Sequence, residues 1–238
     1  MKAQLLLNVN IQKHLIAKAL TKYIDFNKRV YIAYGSLNQY LLFHLGIDTE
    51  NLYIAGCFVE NKLNVTKQRP SPIVLEKGRF LDIKDFDIKK DDYFIKGANA
   101  LWYENGKKYA AVAAADESGG TFGSFYIKAA CRGAKVIIAV NHEKLIPYYV
   151  PSTQNVGFAM GSKISMLKFF YGEVFSELEA FKILFGLDCK IIASGGILGN
   201  EGSIVAEVEG NEDNIIEAID FIETYQSKNI LQKGEFIY

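Results

Sequence analysis

Asp116 and Glu117 are followed at once by Ser118-Gly119-Gly120-Thr121-Phe122-Gly123, which puts two carboxylates, two hydroxyls and three glycines within eight positions. Glycines let backbone N–H groups come close to an anion, and a helix N-terminus presents N–H donors that have no intrahelical acceptor. Ser118, Gly119, Gly120, Thr121 and Gly123 are therefore candidates for binding an anionic ligand. A carboxylate beside such a ligand repels it unless it does chemistry or binds the ligand's hydroxyls. At the tip of an apolar strand it is a candidate general base or nucleophile, and Glu117 and Asp116 are the residues placed for that role. The competing reading is a tight strand-to-helix turn capped by Asp116 and Ser118, with no chemistry.

Three other segments put polar or glycine residues at expected strand ends. Gly35-Ser36 follows Val30–Tyr34, and Gly97-Ala98-Asn99 follows Tyr93–Lys96. The Asn99 amide can orient a ligand hydroxyl but cannot accept a proton. His142 and Glu143 follow Val136–Val140, where a general acid/base histidine would belong, although a catalytically idle helix N-terminal turn fits as well. His14 and His44 fall within helical patterns and read as packing or surface residues. A second S-G-G-x-x-G, Ser194–Gly199, leads into a strand rather than a helix, so it reads as a hairpin connection.

The elements that must hold these residues follow from hydrophobic periodicity. The apolar run Tyr109–Ala115, the helical pattern Ser124–Arg132 and the β-branched run Val136–Val140 read as one βαβ unit with the glycine loop at the carboxyl end of its first strand. Upstream, Ile11, Leu15, Ile16, Ala19, Leu20 and Tyr23 predict an amphipathic helix with Lys13, Lys18 and Lys22 off its apolar face. Leu37–Leu45 predicts a second helix stopped by Gly46, and Leu52–Val59 a strand in parallel pairing. Glu60–Lys90, with Pro70, Pro72 and Gly78, predicts an irregular excursion with one short edge strand, Ile73-Val74-Leu75. Glu104-Asn105-Gly106-Lys107 signals a hairpin. Tyr148–Gly161 has no clear period and marks a boundary. Beyond it, Ile164–Phe170, Cys189–Ala193 and Ser203–Val208 predict strands, and Phe175–Phe185 and Ile215–Tyr225 predict helices. The expectation is an α/β fold with a mainly parallel sheet flanked by helices over residues 1–150, and a smaller α+β part, an appendage domain, over 151–238.

Composition narrows the function classes. Half the residues are hydrophobic and 23% are charged, the profile of a chain with a substantial core. Lys+Arg and Asp+Glu both number 27, and no basic run or zinc spacing is present, which argues against a nucleic-acid partner. No apolar stretch approaches the roughly 18 residues of a membrane-spanning helix. The Leu5-Leu6-Leu7 run is too short, and Asn8 and Asn10 too polar, for a signal peptide, so a cytoplasmic location is expected. Cys57, Cys131 and Cys189 lie far apart and read as buried free thiols, and no pattern calls for a metal or cofactor.

Ile95–Ala100, the glycine loop with its helix, Gly133–Val140 and Glu143-Lys144-Leu145-Ile146-Pro147 together resemble the NagB/RpiA/CoA-transferase-like superfamily. Within it the pattern is similar to ribose-5-phosphate isomerases, the initiation-factor-2B-like isomerases and especially the LUD (LutC-type) domain. The resemblance covers about residues 28–150 and implies a ligand cleft, with Gly35-Ser36 where the first phosphate loop of that superfamily stands. It also implies two departures. The isomerases have G-A-D where this chain has Gly97-Ala98-Asn99, which removes their proton carrier. Glu117-Ser118-Gly119-Gly120 is only loosely like the glutamate of the CoA-transferases, with different spacing.

The expected function is binding of an anionic small molecule, a phosphorylated or acyl metabolite such as a sugar phosphate, nucleotide or CoA ester. One alternative is an isomerase or transferase with Glu117 as base or nucleophile, and another is an interaction protein. Self-association into a homo-oligomer is a further expectation.

Overall fold

The computed structural model describes residues 1–49, 52–67, 71–82, 86–231 and 236–237. The chain begins with strand β1 (Lys2–Leu7) and helix α1 (Val9–Tyr23). Asn8 caps α1, its side-chain oxygen accepting from the Ile11 N–H at 2.9 Å. Strand β2 (Arg29–Ile32) leads into α2 (Ser36–His44), and Gly46 at φ +72° stops the helix. Next come β3 (Gly56–Val59), β4 (Lys62–Thr66), β5 (Ile73–Glu76), β6 (Arg79–Phe80) and β7 (Tyr93–Gly97). Strands β8 (Ala100–Glu104) and β9 (Lys107–Ala114) are joined by Asn105-Gly106, both at positive φ, the arrangement an Asn-Gly hairpin turn requires.

A π-helical turn (Phe122–Tyr126) runs into α3 (Ile127–Cys131), followed by β10 (Lys135–Ala139) and a 3₁₀ turn at His142–Lys144. The remaining elements are β11 (Ser165–Lys168), β12 (Glu173–Phe175), α4 (Glu177–Phe185), β13 (Asp188–Gly195), β14 (Ser203–Glu209), α5 (Glu212–Tyr225) and β15 (Phe236–Ile237). A capping box starts α4: the Ser176 N–H donates to Glu179 Oε2 at 2.9 Å.

The fold is mixed α/β. Its six-stranded sheet has the order β12-β10-β7-β2-β5-β6. The first four strands are mutually parallel, and β5 and β6 are antiparallel. Because helices and a second sheet cover both faces, β2 and β7 are apolar almost without alternation. Val30, Ile32, Ile95 and Ile137 face a cluster built with Leu15, Leu41 and Phe181 of α1, α2 and α4. Tyr31, Phe94, Val136 and Ile138 face the opposite cluster with Leu101, Tyr126 and Phe169. Three smaller sheets, β1-β14-β13, β11-β9-β8 and β15-β4-β3, are antiparallel throughout.

Several expectations change. The strand, loop, helix and strand over Ala110–Val140 do not form a βαβ unit, because β9 pairs antiparallel with β8 and β11 while β10 lies between β7 and β12. The glycine loop and its helix therefore bridge two sheets. Only Gly56–Val59 of the expected 52–59 strand is regular, and it pairs antiparallel with β4. Residues 60–90 are more regular than expected: β5 sits inside the central sheet, with β6 at its edge, whereas Pro70 lies outside the described residues. Lys13 is buried, not solvated, because it falls in register with Ile16 and Ala17 on the inward stripe of α1. The thiols are not fully buried: Cys131 is exposed, and Cys57 and Cys189 are partly so. The Ser194–Gly199 segment does connect an antiparallel pair, β13 and β14. Four ladders among the described residues cross the 148–161 stretch, joining β9 to β11, β10 to β12, β1 to β14 and β4 to β15. No helix among the described residues is long and apolar enough to cross a membrane.

Candidate functional site

The parallel strands β2, β7 and β10 end together, and a cleft of about 720 Å³ opens over their carboxyl ends. That is within the ~300–1,000 Å³ of small-molecule sites, and carboxyl strand ends are where open α/β sheets bind ligands. Gly35 and Ser36 at the start of α2 form one side, and Gly119, Gly120 and Thr121 another. No side chain caps the N-terminus of α2, so its first N–H donors are available to an anion.

Glycine is required in the loop for two separate reasons. Gly119 and Gly120 lie at φ +80° and +55°, a conformation costly for residues with a Cβ. At Gly123 a Cβ would stand 1.8 Å from the Ser118 carbonyl oxygen, so the turn closes only on glycine. Asp116 Oδ1 accepts from the Ser118 N–H at 2.8 Å and the Ser118 hydroxyl at 2.5 Å, a local turn that fixes the loop's start.

The charges in the cleft come mainly from lysines. Strand alternation puts Lys96 on the same face of β7 as Phe94, and the residue is 6% exposed. Among the described residues its ammonium has neither a hydrogen bond nor an ion pair. Burial, followed by the nearby Lys144 ammonium, pushes its pKa down from the ordinary lysine value to about 8. Lys144 keeps some exposure, but its Nζ donates to the Ala98 carbonyl at 3.0 Å. Its pKa is likewise lowered to about 8, by burial first and by Lys13, against an opposing pull from Glu143. Lys13 is lowered by burial, and its Nζ lies 4.0 Å from Glu143 Oε2. Asn141 Nδ2 donates to Glu143 Oε2 at 3.1 Å and to Gln12 Oε1 at 3.1 Å, tying the 3₁₀ turn to α1.

The structure brings Gly35, Ser36, Gly97, Asn99, Asp116, Gly119, Gly120 and Thr121 onto the wall of this one cleft. Asn99 Oδ1 is engaged by the Ala113 N–H at 3.0 Å, so its NH₂ is the end available to a ligand. Glu117 and Ser118 are exposed and lie off the wall, as does Gly123. His142 also lies off it. The His142 ring is buried, with Nδ1 2.5 Å from Glu177 Oε2 and Nε2 2.8 Å from the Tyr103 hydroxyl. Sequence reasoning missed Lys13, Lys96 and Lys144. A signal was present for Lys96: a charge closing the apolar run Tyr93-Phe94-Ile95 of a strand buried on both faces.

No family model matches the chain, and neither a curated protein nor a solved structure does. The site therefore stands on its own geometry.

Proposed function

We propose that the cleft binds an anionic small molecule, a phosphorylated or acyl metabolite of the sugar-phosphate, nucleotide or CoA-ester class. The observation that carries this reading is Lys96, a lysine 6% exposed with no hydrogen bond or ion pair among the described residues, in a cleft that also holds Lys13 and Lys144. Burying a charge unpaired is expensive, and a bound anion supplies the missing counter-charge. The uncapped start of α2 adds backbone donors, and the glycine turn lines the same cleft. Four parallel strands with helices on their faces are also consistent with a NagB/RpiA/CoA-transferase-like arrangement.

The test is a thermal-shift panel of sugar phosphates, nucleotides, CoA esters and inorganic phosphate. A ligand that binds the folded state raises the melting temperature, and K96M is expected to lose that shift while E117Q keeps it. A shift unchanged in K96M would overturn the reading.

A further inference from the structure

Lys96 differs from a simple anion-binding lysine in a way that bears on chemistry. Lys96 is only 6% exposed, lines the cleft and has no partner among the described residues. Its nearest cationic influence is Lys144, whose ammonium is held in place by the Ala98 carbonyl. A lysine desolvated beside a second fixed cation is the arrangement that turns an ammonium into an amine nucleophile.

We infer that Lys96 is a covalent nucleophile that forms an imine with an aldehyde or ketone carrying a phosphate or carboxylate group. This deepens the anion-cleft reading and rests on it: the uncapped start of α2 holds the anionic end while Lys96 meets the carbonyl carbon. The reaction balances without any further reagent. The Lys96 ammonium gives up two of its three protons and the nitrogen bonds to carbon. The carbonyl C–O bond breaks, and the oxygen departs with those two protons as water, leaving a protonated imine of the same charge. Asp116 and Glu143, the two carboxylates on the cleft wall, are the groups available to carry protons between nitrogen and oxygen. Among the described residues, the ionisable groups that share the cleft wall with Lys96 are Lys13 from α1, Tyr34 after β2, Cys57 from β3, Asp116 from the loop, and Glu143 and Lys144 from the 3₁₀ turn. With its pKa at about 8, roughly a tenth of the Lys96 side chains are free amine at pH 7, against well under a thousandth for an ordinary lysine.

The experiment is reductive trapping. The intact protein is mixed with glyceraldehyde 3-phosphate and cyanoborohydride, digested, and the labelled lysines are located by mass spectrometry. Labelling is expected to concentrate on Lys96 at least tenfold above the surface lysines. It should vanish from that position in K96R, and glyceraldehyde without the phosphate should label it more slowly. In K144M the pH at which Lys96 labelling reaches half its maximum should move upward, since a neighbouring cation is gone. Labelling spread evenly over the lysines overturns the inference. If Lys96 stays unlabelled while inorganic phosphate and sugar phosphates still raise the melting temperature in a Lys96-dependent way, the imine is excluded and the anion site stands. If neither labelling nor a thermal shift is seen, both fall.

Discussion

Two oxygens of Glu177 serve one residue: Oε2 lies 2.5 Å from His142 Nδ1, and Oε1 accepts the His142 backbone N–H at 3.0 Å. Glu177 is fully buried at the first turn of α4, so one carboxylate locks the turn that follows β10 against the start of that helix. Removing it strands the imidazole and a backbone donor. E177A is expected to destabilise the fold by about 3 kcal/mol, as for a buried pair broken on one side, measured by urea unfolding. A cost below about 1 kcal/mol would show that the pair holds nothing.

Lys96 makes a stability prediction with a definite pH window. Its folded-state pKa is about 8 against 10.5 for an ordinary lysine, so between those values the unfolded chain holds a proton that the folded chain lacks. Stability therefore rises with pH across that window, and the full penalty is present below it. K96M removes the charge, so at pH 7 it should be more stable than the parent by up to about 3 kcal/mol, the worth of the shift from 10.5 to about 8. The rise between pH 8 and 10.5 should shrink and not disappear, because Lys144 carries a similar shift. Urea unfolding at pH 7, 9 and 10.5 reads both. An identical pH slope in K96M would contradict the assignment.

The glycines of the loop can be separated by substitution. Gly120 has open space where a methyl group would stand but lies at φ +55°, so G120A should cost about 1–2 kcal/mol of backbone strain. A Cβ at Gly123 would meet the Ser118 carbonyl oxygen at 1.8 Å, so G123A must open the turn. Its expected cost is of order 3 kcal/mol, together with loss of any ligand-induced thermal shift. Equal effects of the two substitutions would show that the loop is not closed as described.

Acid should weaken the packing of α1 on α2. His14 Nδ1 lies 3.0 Å from His44 Nε2, and His14 Nε2 lies 2.8 Å from the Lys228 carbonyl oxygen. Burial lowers both rings, His44 to about 3 with His14 as the next cause. With the folded pKa depressed, the unfolded state takes up protons first. Stability is lost as pH falls from about 6.5 towards 3. H44F should flatten this part of the acid-unfolding profile, and an unchanged profile would count against the histidine pair.

How much is legible in the sequence depends on whether the signal is local. The Asn105-Gly106 turn, the Asn8 cap and the periodicity of helices α1 and α5 are written within a few residues of where they act, and they can be read. Partner choice is not local. Tyr109–Ala115 and Val136–Val140 look alike as apolar runs, and nothing in either says that one joins an antiparallel sheet and the other a parallel one. The same limit applies to the site. Gly35, Asn99 and Gly119 are recognisable as strand-end residues, and they share one wall. Lys13 reads as solvated because a lysine on an amphipathic helix usually is. The residues that its ammonium meets, Tyr40 and Glu143, lie on elements distant in sequence. Glu117 looks chemically apt by type, yet a turn residue's direction is set by the backbone around it, here by the Asp116–Ser118 bonds.

The pairing of β1 with β14 sets an order of events for the chain as it leaves the ribosome. Lys2 lies opposite Glu209 and Leu7 opposite Ile204, so β1 has no ladder until β14, far along the chain, has been made. Contacts this remote in sequence slow folding, and an unpaired strand waiting for its neighbour is open to pairing with another chain. Lys2 sits on that strand, and in the finished sheet its ammonium lies 3.4 Å from Glu209. A charged lysine on a strand whose edge is unpaired disfavours pairing with another chain, and Lys2 carries that charge before Glu209 is made.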